Sequence, residues 1–256
     1  MDLNTITPLI LTYNEEPNID RTLHKLTWAK EVIVIDSFST DKTIEILKSY
    51  SNVKVFFRKF ESFAKQCNYG LSLIKNTWVL SLDGDYILSD DLINKLTILN
   101  VNSEINGYLI PLSYCIFGKP LKKTILPPRI CLYKKNTAHY RDDGHAHKVI
   151  IEGKVSYLKS YIYHDDRKSL SRWLWAQDRY MVLEVEKILN TPFYELSLSD
   201  RIRKQIILAP FIVFIYCLFL KGGIFDGWGG WYYAFQRMFA EILLSLRLIE
   251  NKYFNS

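Results

Sequence analysis

Short apolar, β-branched runs alternate with stretches of helical periodicity through the first third of the chain. The run from Glu31 to Asp36 encloses Val32, Ile33, Val34 and Ile35, as in a parallel strand covered on both faces. Ile6 to Thr12, Val53 to Phe57 and Thr77 to Leu82 read as strands in the same way, with Pro8 marking an irregular start to the first. Between them, 18–28, 41–50 and 63–75 carry the periodicity of helices, and Asp41 with Ser39 and Thr40 supplies a capped helix start. Strand and helix alternating at this spacing predict right-handed crossovers and a mainly parallel, doubly wound α/β sheet.

The pattern changes downstream. Leu170, Trp173, Leu174, Tyr180, Leu183 and Ile188 recur at helical spacing within 169–189. Ile206 to Leu220 then carries no charge, with Arg201, Arg203 and Lys204 before it and Lys221 after it. The run is short for a membrane span, which needs about 20 apolar residues, and Pro210 is expected to kink it. The glycine-rich stretch from Gly222 to Gly230 predicts a turn. Beyond it Trp228, Trp231, Tyr232, Phe235, Phe239, Ile242, Leu243 and Leu246 form a second apolar face. Two helices over about 206–248 with basic ends predict a hairpin lying in a membrane interface; packing on protein is the alternative. The division expected is an α/β domain over 1–167 and a helical region over 168–256.

Composition narrows the class. Hydrophobic residues make up 48% and charged residues 23% of the 256 residues, which excludes a disordered chain and a polytopic membrane protein. The net charge of +6 suits an anionic partner without naming one. Cys67, Cys115, Cys131 and Cys217 are scattered, with no metal or disulfide spacing, as expected of a reducing compartment. The N-terminus lacks the basic and apolar regions of a secretory signal, so the bulk of the protein is expected to stay in the cytoplasm, held peripherally or monotopically at a membrane by the helical hairpin.

Ligands of doubly wound sheets sit at the carboxyl ends of the strands. Three polar loops fall there: Thr12, Tyr13, Asn14, Glu15 and Glu16 after the first strand; Asp36 to Asp41 after the second; and Asp83, Gly84 and Asp85 after the fourth. Asp-Gly-Asp alone is an ordinary turn. Paired with two other loops at one sheet edge, it can present carboxylates to a hard divalent cation that keeps positions open for phosphate oxygens.

The stretches Leu11 to Glu16, Val32 to Thr43, Lys65 to Asn68 and Trp78 to Asp85 together resemble family 2 glycosyltransferases of the GT-A (Rossmann-like) fold. The chain is especially similar to small bacterial enzymes that extend lipopolysaccharide core or other surface glycans. The resemblance implies a nucleotide-sugar donor, a UDP-sugar foremost, and inverting transfer to a hydroxyl of a lipid-linked or cell-surface glycan. It implies that Tyr13 and nearby backbone border the base and that Asp36 accepts from it. It further implies that Thr12, Asn14, Glu15, Gln66, Asp83 and Gly84 line the nucleotide, and that Asp85 holds Mn²⁺ or Mg²⁺ with His164 as a second ligand. An arginine that many relatives carry near Cys67 is replaced here. Partners implied are the donor, a glycan or glycolipid acceptor and the cytoplasmic membrane face, with no nucleic acid; a homo-oligomer stays open.

Inverting transfer needs a general base within hydrogen-bond reach of the acceptor hydroxyl. The candidates are Asp142 and Asp143, with Asp143 preferred because Gly144 beside it suggests an orienting turn. His145 and His147 alternate as a metal pair or a polar strand face. Arg129, Arg167 and Lys168 are candidate phosphate or acceptor contacts, or ordinary basic surface. Alternatives are a sugar-phosphate nucleotidyltransferase, whose glycine-rich phosphate loop is not seen after the first strand, and a metallohydrolase built on His145, His147, His164 and Asp165. A non-catalytic membrane scaffold with the same fold is a third.

Overall fold

A computed structural model describes residues 1–99, 104–143 and 146–254, in two compact units. The first comprises Met1–Cys115, Leu126–Asp142 and His147–Arg167; the second comprises Ile116–Ile125, Asp143–Ala146 and Lys168–Ser256. The change from strands to helices falls after Arg167, but two short excursions of the α/β part belong with the helices.

The first unit opens with β1 (Ile6–Thr12), α1 (Ile19–His24), β2 (Val32–Asp36), α2 (Thr43–Lys48), β3 (Val53–Phe57), α3 (Phe63–Leu73) and β4 (Trp78–Asp83). The strands match the sequence reading to within a residue, and the helices are shorter. Past Lys25 the chain tightens, with the Leu26 and Ala29 amides bonding carbonyls three residues back while both side chains stay buried. Asp41 stands outside α2, and its Oδ1 accepts from the Thr43 amide at 3.0 Å and the Thr43 hydroxyl at 2.5 Å. The Ser62 hydroxyl caps α3 through the Lys65 amide.

There follow β5 (Tyr86–Leu88), α4 (Asp90–Ile98), β6 (Ile105–Ile110), β7 (Leu112–Ile116), β8 (Lys119–Pro120), β9 (Arg129–Lys134), β10 (Ala138–Asp143), β11 (Ala146–Ile151), β12 (Lys154–Tyr157) and β13 (Ile162–His164). The main sheet has the order β12-β6-β9-β4-β1-β2-β3. β1 pairs in parallel with β2 and β4, β2 with β3, and β12 with β6; only β9 runs against its neighbours. The expected mainly parallel α/β sheet is therefore present, with one reversed strand inserted beside β4.

Period-two alternation divides the sheet residues between two cores. Ile6, Ile10, Val32, Val34, Leu80 and Leu82 pack with α1 and α4 through Leu23, Leu92 and Leu96. Leu9, Ile33, Ile35 and Val79 face the other way, against Ala64, Cys67 and Leu71 of α3. Burying each such aliphatic side chain contributes roughly 1.5–3 kcal/mol, so a one-residue slip in β2 would exchange both layers at once. All four cysteines are free and buried.

The second unit contains α5 (Leu170–Asn190), α6 (Leu198–Arg203), α7 (Leu208–Ile215), a π-helical turn over Tyr216–Leu220, a 3₁₀ turn over Gly223–Asp226 and α8 (Trp228–Phe254). Met181, Val185 and Ile188 of α5 meet Leu244 and Leu248 of α8. Pro210 does not kink the apolar helix. It is the third residue of α7, in the first turn, where its missing N–H has no intrahelical partner to lose. The predicted turn spans only 222–227, and Gly229 and Gly230 already belong to α8.

Gly230 is there for close approach: a Cβ on it would lie 1.8 Å from the Gly223 carbonyl oxygen. Because that neighbour is backbone, it cannot rotate away. Gly230→Ala is expected to cost about 3 kcal/mol by overpacking, read as earlier thermal loss of helical circular dichroism. An unchanged melting curve would mean that α8 and the Gly223 turn do not meet this tightly.

Candidate functional site

The register of three adjacent strands brings the polar loops together. Thr12 of β1 pairs with Asp36 of β2, and Leu11 of β1 pairs with Asp83 of β4. All three strands thus end at one level of one edge. The loops then touch: a Cβ on Gly84 would sit 2.7 Å from Cγ of Glu15, and the Thr22 hydroxyl donates to the Gly84 carbonyl at 2.9 Å. Gly84 is required by this approach.

Asp36 is fully buried. Its Oδ2 accepts from the Thr12 hydroxyl at 2.7 Å and the Ser39 hydroxyl at 2.6 Å, and its Oδ1 from the Ser39 amide at 2.7 Å. The network extends through Ser39 Oγ, which accepts from the Asn14 amide, and through Asn14 Oδ1, which accepts from the Thr40 amide at 2.8 Å. Asn14 and Phe38 both hold positive φ, 54° and 63°. For a residue as bulky as phenylalanine that backbone is strained, and such strain clusters at ligand-binding loops. The Gln66 amide group donates to Ser37 Oγ and to the Arg58 carbonyl, both at 3.0 Å, tying α3 to the loop after Asp36. Tyr13 is about half-exposed at this edge, and the Glu15 amide donates to Thr43 Oγ1.

A small second sheet completes the other side. β13 pairs with β5 so that His164 stands opposite Tyr86, immediately after Asp85, and with β7 so that it stands beside Tyr114. His164 Nε2 lies 3.1 Å from Asp85 Oδ2, and its ring is flanked by those of Tyr86 and Tyr114. Burial alone lowers the His164 pKa, but Asp85 and, farther off, Asp83 and Asp166 outweigh it and leave the pKa raised. Asp85 is itself buried.

Asp83 pairs with Arg129 at 3.2 Å, and the same nitrogen of Arg129 donates to the Tyr86 hydroxyl at 2.8 Å. Burial disfavours the Arg129 charge, but Tyr86 and Asp83 overcome this and its pKa is raised. Burial and Asp83 likewise hold the Tyr86 phenol well above its usual value. A cleft of about 290 Å³ opens beside them, lined by Ser81, Asp83, Tyr86, Arg129, Tyr140 and Lys148 among others.

The segment after His164 is a structural clamp that the sequence did not reveal. Buried Asp165 accepts from Arg21 at 2.5 Å and from both Arg167 Nε and Nη2, at 2.8 and 2.9 Å. Asn18 donates to Glu15 and Asp166 and accepts from the Arg167 amide. Arg167 is thus committed to Asp165. The Asp165 amide also donates to the Asp85 carbonyl at 3.1 Å, so the clamp sets the position of His164 against Asp85. Asp165→Ala would leave two guanidiniums without their carboxylate, at a cost of about 2–3 kcal/mol given that both are partly exposed. Its melting temperature should fall by several degrees; an unchanged value would show that the clamp contributes nothing.

The candidate bases are placed differently. Asp142 Oδ1 accepts from the Ala64 amide at 3.1 Å, in the first turn of α3. Asp143 belongs to the second unit, where Lys187 of α5 holds it at 2.9 Å. His145 lies outside the described residues, as does the side chain of His147. Among the described residues no group of three or more His, Cys, Asp or Glu is arranged to hold a metal.

The sequence profile of glycosyl transferase family 2 matches residues 9–98, the stretch that carries all three loops. The likeness to that family lies within this stretch, about a third of the chain. An uncharacterized glycosyltransferase of Rickettsia typhi is 27% identical over 66% of this chain and 63% of its own length, so the chain spans less than two thirds of that relative. The lipopolysaccharide core biosynthesis glycosyltransferase LpsC of Rhizobium meliloti is 22% identical over 90% of this chain and 89% of its own length. Among solved structures, glucosyl-3-phosphoglycerate synthase of Mycobacterium tuberculosis, in complex with Mn²⁺, UDP and phosphoglyceric acid, matches with a TM-score of 0.50. It is 14% identical and covers 74% of this chain and 80% of that one. That likeness is one of fold, and the fold of this chain is of the GT-A kind.

Proposed function

We propose that this chain, like the family its residues 9–98 resemble, transfers a sugar from a nucleoside-diphosphate sugar, a UDP-sugar foremost, to a hydroxyl of a lipid-linked or cell-surface glycan, with inversion. The observation that carries this is the meeting at one sheet edge of Asp36, the Gly84–Glu15 contact and the Asp85–His164 pair. An acceptor of the lipopolysaccharide-core kind is the finer reading, supported by the name of the Rhizobium meliloti relative alone.

Two residues fit a divalent cation. Asp85 Oδ2 and His164 Nε2 are 3.1 Å apart, close to the roughly 3 Å separating neighbouring ligand atoms on an octahedral ion with ~2.1 Å bonds. Asp85 and His164 would therefore hold Mn²⁺ or Mg²⁺, which when bound neutralises the charge appearing on the departing diphosphate. The rest falls to the chain. Asp36, Ser39 and Asn14 keep the two base-side loops in one arrangement, and Tyr13 offers a half-exposed ring there. Arg129 places a fixed positive charge beside Asp83 at the cleft. Asp143, and failing it Asp142, is proposed to take the proton of the acceptor hydroxyl.

A thermal-shift panel of UDP-, GDP-, CMP- and dTDP-sugars, each with and without Mn²⁺, tests the donor assignment. Stabilisation by UDP-sugars that Mn²⁺ increases supports it. Stabilisation by another nucleotide moves the donor class, and none by any of the four refutes the reading.

A further inference from the structure

We propose that one face of the second unit, made by α7, the π-helical turn and the loop to Trp228, docks on an anionic phospholipid bilayer and lies in its interface without crossing it. Leu208, Phe211, Ile212, Ile215 and Phe219 are exposed at spacings of three, one, three and four residues, so they share one side of the continuous helix. The opposite side is already used: Ala209, Pro210, Cys217 and Leu218 are buried, and the Phe214 ring packs at a tilt against Trp231 and Phe235 of α8. The apolar face continues past the helix through Leu220, Ile224, Phe225 and Trp228, the last two 76% and 84% exposed. Soluble surfaces rarely present so large a contiguous apolar patch.

Charge selects the occupant. From Arg201 to Phe225 there is no acidic residue, while Arg201, Arg203, Lys204 and Lys221 bracket the apolar run. Arg203 is bound to Glu241, but Lys204 is exposed and the Lys221 amine lies over the Tyr216 ring at the far end. A second copy of the chain would bring the same basic rim against itself, whereas anionic headgroups would neutralise it. Length sets the mode. The helical stretch from Leu208 to Leu220 is about 20 Å long at 1.5 Å per residue, short of the roughly 30 Å hydrocarbon layer. Among the described residues no helix is long and apolar enough to cross a membrane. An exposed tryptophan at the start of α8 suits the headgroup boundary, where indole is favoured.

The test is flotation of the full chain with phosphatidylcholine vesicles, with and without phosphatidylglycerol, at low and high salt. The expected result is co-flotation that needs phosphatidylglycerol and weakens with salt. Phe211→Asp with Phe219→Asp should lower the bound fraction about tenfold. Phe225→Ser with Trp228→Ser changes only highly exposed side chains, so it should lower binding without shifting the melting temperature, and it decides the matter if the helix variant does not fold. No binding to the anionic vesicles, or equal binding by the Phe225→Ser/Trp228→Ser variant, overturns the proposal. Dimers in solution that the same substitutions dissociate, without vesicle binding, would assign the face to a second copy. None of these outcomes bears on donor binding, which the thermal-shift panel reads separately.

Discussion

Replacing Asp85 by Asn is expected to lower sugar transfer by about 10³-fold while the melting temperature stays within a few degrees of wild type. The amide keeps the size of the carboxylate and an acceptor oxygen for His164 Nε2, now 3.1 Å from Oδ2, so the small sheet that holds His164 against Tyr86 has no reason to open. What the substitution removes is the negative charge that would face the proposed cation and the diphosphate. Several kcal/mol of transition-state stabilisation correspond to three decades of rate. Initial rates of donor turnover with saturating Mn²⁺, alongside a thermal melt, check this. Undiminished turnover would remove Asp85 from the chemistry, and a collapse in the melt would show it to be structural.

Asp36→Ala should do the opposite first, costing about 3–5 kcal/mol of stability. The carboxylate is wholly buried and collects the Thr12 hydroxyl, the Ser39 amide and the Ser39 hydroxyl. Alanine strands the buried Thr12 hydroxyl, takes the carboxylate from the partly buried Ser39 amide and hydroxyl, and loosens the loop in which Phe38 holds its unfavourable φ of 63°. Donor affinity should fall with it, since the loops after β1 and β2 lose their common anchor. Chemical denaturation together with nucleotide titration separates the cases. A variant that weakens nucleotide binding but melts as wild type would make Asp36 a ligand contact with no scaffolding role.

The β2 strand was readable because a strand covered on both faces must be apolar at every position, and Val32 to Ile35 are buried without exception. Helix ends were less so, since the turn that closes α1 at Lys25 is imposed by burial of Leu26 and Ala29. The reversed β9 and the β5–β13–β7 sheet come from pairings between residues far apart in sequence, for which local periodicity carries no signal. The same holds for Arg21 on Asp165, 144 residues away, and for Arg129 on Asp83. One feature was within reach: Ser39, three residues after Asp36, has the spacing at which an aspartate bonds its own loop. Pro210 was misread because a proline kinks a helix only past its first turn, and the start of α7 at Leu208 depends on Ile206 taking a positive φ of 65°.

The most direct measurement is titration calorimetry of UDP into the full chain, with and without Mn²⁺, for wild type and Asp85→Asn. Carboxylate and imidazole sharing one cation at the strand ends predicts UDP binding that Mn²⁺ tightens at least tenfold in wild type and leaves unchanged in the variant. UDP binding indifferent to Mn²⁺ in wild type, or an Mn²⁺ effect that survives in Asp85→Asn, would contradict it.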